Sequence, residues 1–302
     1  MNKSAELWHK VLETEGYKKA KALNKLQNHL WSNDHLVESI AVTQEIRDLY
    51  SELEDTYQWM HYSWVAAFRY SATDRLEAAK ELIAEALPVA IEQNDEFYSG
   101  ALAKLKGDVL SKADNLEGSA VSYAQAIGHF EQLGDWALCG EAHYRFALLN
   151  KKRNLPDVAL GNFRDSIKRY GEANNPAKVL EIRIEMAELL TESNEPMSAI
   201  NVLSEALPVA RFLSDPLAEQ KVLRRLGVAH SNRGDADVAE LLLKKAAAMK
   251  ARGPQDQEAA LALECLAQHN ERFGDPERAK RQRARVAPVK QALGLNSEES
   301  ND

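Results

Sequence analysis

The chain has 302 residues, a formal charge of -8, 45% hydrophobic residues, 7% aromatic residues, 14 Gly and 9 Pro. That composition excludes a disordered chain, speaks against a β-sandwich and does not suit a surface built to coat nucleic acid. Two cysteines, Cys139 and Cys265, are too few for a disulfide framework and point to a reducing, cytoplasmic setting.

Residues 1–19 form an N-terminal segment, and the first 18 are expected to make one amphipathic helix with Leu7, Trp8, Val11 and Leu12 on its apolar face. Gly16 ends or loosens that helix. The segment is charged throughout, so no signal peptide is expected. No run of about 18 apolar residues occurs, so no membrane span is expected either.

From residue 20 onward the sequence is periodic. A step of 40 carries a small residue through Ser39, Ala79, Ser119, Ala159, Ala199, Ala239 and Ala279. Four positions later come Thr43, Ile83, Tyr123, Phe163, Leu203, Leu243 and Arg283, and three further on Ile46, Ala86, Ala126, Ser166, Ala206, Ala246 and Val286. The preceding segment holds Gln27, Ala67, Gly107, Ala147, Ala187, Gly227 and Ala267 at one column. Between the segments lie Asp34, Asp74, Asp114, Asn154, Asn194, Gly234 and Gly274. Five columns in phase without an insertion mean an array of helical hairpins. Small residues let paired helices approach, the bulky residue fills the gap between units, and Asp, Asn or Gly suits the turn. Junction signals at Asn94-Asp95, Gly134-Asp135, Asn174-Asn175-Pro176, Ser214-Asp215-Pro216 and Gly253-Pro254 separate the units. The repeats are about 20–54, 55–94, 95–134, 135–174, 175–214, 215–253 and 254–292, followed by a disordered acidic tail at 293–302. The end units fit worst, with Gln27 and Thr43 in the first and Arg283 in the last.

Pro88, Pro208 and Pro288 share a place in the second helix. Two readings are open: a bend that curves the array, or a helix that stops there and restarts.

The small-x3-large-x2-small pattern after a Gly-Asp or Asn turn resembles the tetratricopeptide repeat (TPR). Leu226-Gly227, His230, Gly234-Asp235, Ala239, Leu243 and Ala246 carry the likeness, with His230 where the family usually has Tyr. The repeat departs from the family in length, 40 residues here against the usual ~34. Variants of this length occur in bacterial regulators, peptide-pheromone receptors and some eukaryotic adaptors. HEAT and armadillo repeats share the length range but lack the small-residue signature. The fold implied is all-α: a right-handed α-solenoid of about seven 40-residue helical hairpins.

No phosphate loop, dinucleotide fingerprint, zinc-protease motif or nucleophile elbow is present, so no enzyme activity and no cofactor are expected. Cys139 and His143 are spaced i, i+4 as two metal ligands could be, but no second pair accompanies them. They are read as a buried thiol and a packing or surface histidine, with no metal.

In the resembled family the first helix of each unit lines a concave groove. The resemblance places Tyr57, His61, Trp64, Phe68 and Ser71 there in the second unit, and Ala101, Lys104, Asp108 and Ser111 in the third. The fourth supplies Glu141, Tyr144, Arg145, Leu148 and Lys151; the fifth Glu181, Ile184, Glu188 and Thr191; the sixth Lys221, Arg224, Arg225, Val228 and Ser231. Tyr57, His61, Trp64 and Phe68 follow 4-3-4 spacing and share a face, which suits peptide anchors. Alternatively the N-terminal helix covers them. Lys104, Arg145, Lys151, Arg224 and Arg225 give the groove a basic component that would suit an acidic peptide or a C-terminal carboxylate, interrupted by Glu141, Glu181, Glu185 and Glu188. The family's chaperone-tail clamp is matched only by Lys104 and, less closely, Arg224, so chaperone-tail binding is not expected. The last helix carries Arg278, Lys280, Arg281, Arg283, Arg285 and Lys290, read first as a solvated cap and second as a site for an acidic partner or nucleic acid.

The expected function is a non-catalytic scaffold or adaptor that binds a protein or peptide in the concave groove. Two alternatives stand beside it: a peptide-responsive regulator similar to the sensor part of bacterial peptide-pheromone receptors, and a homo-oligomeric structural protein. Nucleic acid is an unlikely partner, and a membrane is not expected.

Overall fold

The computed structural model describes residues 3–249 and 257–292. The tail at 293–302 and the junction at Gly253-Pro254 lie outside the described residues. The chain divides into two compact units, Met1–Arg153 and Asn154–Asp302. The first contains α1 (Lys3–Leu12), α2 (Gly16–Trp31), α3 (Leu36–Glu52), α4 (Thr56–Ala72), α5 (Leu76–Glu92), α6 (Glu96–Lys112), α7 (Leu116–Leu133) and α8 (Trp136–Lys152). The second contains α9 (Pro156–Glu172), α10 (Pro176–Glu192), α11 (Pro196–Phe212), α12 (Pro216–Arg233), α13 (Ala236–Ala248), α14 (Gln257–Arg272) and α15 (Pro276–Ala292). No strand occurs among the described residues.

The single helix expected over residues 1–18 is two. α1 stops at Leu12, where the Thr14 hydroxyl donates to the Lys10 carbonyl (2.9 Å) and occupies an acceptor the helix would otherwise continue through. Gly16, at φ 52°, turns the chain into α2. α1 packs on α2, and Val11 enters the core formed by Leu23, Leu26, Val42 and Ile46.

A left-handed residue recurs every 20 positions. Positive φ is found at Asp34, Glu54, Asp74, Asn94, Asp114, Gly134, Asn154, Asn174, Asn194, Ser214, Gly234 and Gly274. After all of these residues except Asn154, the next amide reaches back to close the helix end. Asn115 N–H donates to the Leu110 carbonyl (2.9 Å), and Glu195 N–H donates to the Leu190 carbonyl (2.8 Å). The residue after it starts the following helix. Asp55, Asp95, Asn115, Asp135, Asn175 and Asp215 each accept an amide three positions on through the side chain. Proline at the first helical position (Pro156, Pro176, Pro196, Pro216) adds a preset φ in the second unit. The 20-residue spacing therefore comes from local chemistry at every turn, and two such helices make the 40-residue repeat.

Packing follows the columns. Ser39, Ala79, Ser119, Ala159, Ala199, Ala239 and Ala279 are all 0% exposed. In the first helices, Gly107 leaves no room for a methyl: a Cβ there would lie 2.7 Å from the Tyr123 ring. At Gly227 it would lie 2.6 Å from Leu243 Cγ. Ser39 and Ser119 use the same close approach differently, each donating to the facing helix at the Gln27 and Gly107 carbonyls (both 2.8 Å). Of the two readings of the proline column, the helix that stops is not seen. α5, α11 and α15 run on through Pro88, Pro208 and Pro288.

Within the first unit α4 packs on α6 and α6 on α8, so these first helices form one layer, while α5 and α7 pack against their chain neighbours. In the second unit α10, α12 and α14 are layered in the same way.

Candidate functional site

The first-helix layer of the first unit carries the most developed surface. Along α4, Tyr57 and Phe68 are 55% and 50% exposed, with the half-buried His61 and Trp64 between them. The rings form a continuous strip. His61 and Trp64 have centroids 6.2 Å apart, and Trp64 stacks on Phe68 at 6.4 Å. Tyr57 meets Tyr98 of α6 edge-on at 5.3 Å, and His61 Nδ1 lies 3.1 Å from the Tyr98 hydroxyl. These contacts hold the aromatic strip in place at its α6 border. Burial lowers the His61 pKa, which keeps the imidazole neutral over a wider range, and burial first, then neighbouring Tyr57, raises that of Tyr98. The N-terminal helix does not cover the strip: it packs against α2, and Tyr57 and Phe68 remain open.

Phe68 also belongs to a pocket of about 450 Å³ lined by α4, α6, α7 and α8, with Ser71, Asp108, Tyr123, Arg145 and Lys152 among its walls. Tyr123 crosses the space left by Gly107, and its hydroxyl donates to Asp108 Oδ1 (2.7 Å). Burial, and then the Asp108 charge, pushes that phenol well above its usual range. Lys104 Nζ holds the other Asp108 oxygen at 3.1 Å. Two lysines repeat across the pocket rim. Lys112 Nζ donates to the Ser71 carbonyl (2.7 Å) and faces Asp74 (3.6 Å); Lys152 Nζ donates to the Ser111 carbonyl (3.0 Å) and pairs with Asp114 (2.9 Å). Each lysine thus sits at the C-terminal end of the preceding first helix, where carbonyl groups gather negative potential.

The groove positions implied by the family resemblance separate into those the pocket unites and those it does not. Phe68, Ser71, Asp108, Ser111, Arg145 and Leu148 line one cavity. Tyr57, His61 and Trp64 form the adjoining strip. Lys104, Tyr144 and Lys151 lie outside the pocket wall. The basic lining is largely neutralised: Lys104 pairs with Asp108, and Arg145 Nε donates to Glu141 at 2.7 Å. Burial tends to lower the Arg145 pKa, but Glu141 and Asp108 outweigh it, so the guanidinium stays charged. Sequence reasoning missed Lys112, Lys152 and Tyr123. The lysines were findable from the same step of 40 that relates Ser71 to Ser111 and Asp74 to Asp114.

In the second unit, a pocket of about 310 Å³ between α10 and α12 contains Glu181, Ile184 and Lys221. Arg224 is committed to Glu258 of α14 (2.9 Å), and Arg225 to Glu188 of α10 (3.1 Å). These arginines tie first helices together. On the last helix, Arg278 pairs with Glu240, and Arg283 with Glu264 and Glu271. No helix among the described residues is long and apolar enough to cross a membrane.

No protein-family model and no curated protein sequence matches the chain. Solved structures do. The apo form of RapI aligns over 92% of this chain and 76% of its own, with 13% identity and a TM-score of 0.70. A signal-transduction ATPase with a tetratricopeptide repeat sensor from Pyrococcus horikoshii aligns over 97% of this chain but 48% of its own, with 13% identity and a TM-score of 0.68. A Rap protein complexed with Competence and Sporulation Factor aligns over 97% and 80%, with 13% identity and a TM-score of 0.57. At these identities the likeness is one of fold: the chain is an α-solenoid of TPR-like helical repeats.

Proposed function

We propose that this protein is a non-catalytic scaffold that binds a peptide or an extended protein segment on the first-helix layer of its N-terminal unit. The observation that carries the reading is the continuity of the α4 aromatic strip with the pocket between α4, α6 and α8 through Phe68. Rigid, half-exposed aromatics bury large area at little entropic cost, so Trp64 and Phe68 serve as the apolar anchor. Beside them Lys104, Arg145, Lys112 and Lys152 pair with Asp108, Glu141, Asp74 and Asp114 in turn, a mixed-charge surface that selects for a ligand carrying both polar and apolar groups. A uniformly acidic peptide is a poorer fit than the charge count of the basic residues alone implies. Selection of peptides from a random library on the full chain tests this. Selected peptides bind, and binding weakens about tenfold or more in Phe68→Ala and Arg145→Ala while Phe212→Ala, an exposed site in the other unit, binds normally. Peptides that bind all three variants equally overturn the assignment.

A second reading, a signal-responsive regulator, is favoured by the likeness to the Rap protein complexed with Competence and Sporulation Factor. It is distinguished by small-angle scattering with a selected peptide: a fall in the radius of gyration supports it, and an unchanged radius leaves the passive scaffold.

A further inference from the structure

We propose a metal-binding site at the turn between α7 and α8, formed by Glu131, Cys139 and His143. Their ligand atoms (a carboxylate oxygen, Sγ and a ring nitrogen) all lie within 4.8 Å of one another. Cys139 and His143 are one turn apart on α8, so both project toward the same side, and the chain reversal brings Glu131 of α7 onto them. Tetrahedral coordination needs ligand-to-ligand separations of about 3.5 Å, so the three side chains close on an ion by moving about 1 Å, within rotamer freedom.

The scaffold around them is built rather than adjustable. Gly134 makes the turn at φ 72°, Asp135 caps α8 through the Leu138 amide (3.0 Å), and the Asp135 carbonyl accepts the Cys139 amide (3.0 Å). Phe130, adjacent to Glu131, is fully buried in the same apolar cluster as Cys139, Ala103 and Ala142. Exposure rises outward from Cys139 (buried) through His143 (half-buried) to Glu131 (exposed), so an ion held among them faces solvent on its fourth side. Thiolate, imidazole and one carboxylate suit zinc or another borderline divalent cation and do not suit magnesium or calcium, which take oxygen ligands. On binding, the Cys139 thiol gives its proton to solvent and its sulfur to the metal. The ion would clamp the third hairpin to the fourth and stiffen α8, which also carries Arg145 and Leu148 of the pocket wall. The site stands independently of the peptide-binding reading.

Cobalt(II) titration of the reduced full chain in a Cys265→Ser background tests it. A thiolate-to-cobalt charge-transfer band saturating at one equivalent, displaced by zinc, is expected, and Cys139→Ser abolishes it. Cys139 is buried, so His143→Gln and Glu131→Gln, at the solvent side, carry the test if Cys139→Ser does not fold. Each weakens cobalt binding about tenfold or more and removes the zinc-dependent rise in Tm. Absence of the band at stoichiometric metal, or a band unchanged by both of those variants, overturns the proposal.

Discussion

In the sixth hairpin, Gly227 of α12 faces Leu243 and Ala239 of α13, and these three places are apolar and closely packed. In the first hairpin the same three places hold Gln27, Thr43 and Ser39, all buried and all polar. The polar seam is closed by Arg69, only 5% exposed, which reaches in from α4 of the next hairpin. Its Nη1 lies 2.6 Å from Gln27 Oε1, 2.6 Å from Thr43 Oγ1 and 2.7 Å from Ser39 Oγ, and its guanidinium sits 4.9 Å from the Trp31 ring. Burial lowers the Arg69 pKa to about 10. The backbone spacing of the repeat therefore does not require an apolar seam. It requires a seam whose groups are all satisfied, and a polar version works when a neighbouring repeat supplies the missing donor.

The largest effect expected from breaking this contrast is at Arg69. Arg69→Met removes the donor shared by the Gln27, Ser39 and Thr43 oxygens, leaves them only the bonds among themselves and to the backbone, and lowers stability by about 3 kcal/mol, read as faster hydrogen exchange across α2–α4 and a lower urea midpoint. Converting the seam wholly, with Gln27→Ala, Thr43→Leu and Arg69→Met together, restores most of that loss. If the triple variant is no better than Arg69→Met alone, the polar network is not the reason the first hairpin tolerates its sequence. Next in size is Gly227→Ala in the apolar seam. The added methyl pushes Leu243 and approaches the Ala239 carbonyl (3.3 Å), while helix propensity recovers part of the cost, for a net loss of about 1–2 kcal/mol. Combining it with Leu243→Ala gives less than the sum of the two single losses.

Much of this framework is legible in the sequence because it rests on residue size and turn chemistry. Ala79 to Ala279 and Asp34 to Gly274 announce their roles by type and by a fixed step. One turn does not: Glu54 adopts the left-handed conformation at φ 54° without a residue that favours it, whereas at Ser214, φ 53°, the following Asp215-Pro216 marks the junction. The site was legible only where it lies on the first-helix face, as for Phe68, Asp108 and Arg145. Lys112 and Lys152 repeat at the same step of 40, but what they bind does not show, because their partners are backbone carbonyls of the preceding repeat and a carbonyl leaves no mark in a side-chain pattern. Arg69 was hidden for a related reason: its partner Gln27 is 42 residues away, and a lone arginine on an aromatic helix reads as a surface charge. Glu131 had no signal, standing on a second helix among ordinary acidic residues.

Smaller effects probe the turns and two histidines. Glu54→Gly relieves the left-handed strain and raises stability by about 0.5–1 kcal/mol, while Asn94→Gly changes little, since asparagine already tolerates that conformation; thermal melts of the two variants compare them directly. The smallest is a pH dependence. Burial lowers the pKa of His61 and His269 below that of the unfolded chain, so the unfolded state binds more protons. Their contribution is complete above the ordinary histidine pKa of about 6.5 and is lost as pH falls below it through the folded values. Tm accordingly drops on acidification from pH 7 to pH 5, and His269→Asn reduces the drop.

The central claim is that the first-helix layer of the N-terminal unit is the binding face. Amide hydrogen exchange of the full chain with and without a library-selected peptide tests it most directly. Slower exchange concentrated in α4, α6 and α8 is the predicted result. Protection confined to α5 and α7, or to the second unit, would contradict it.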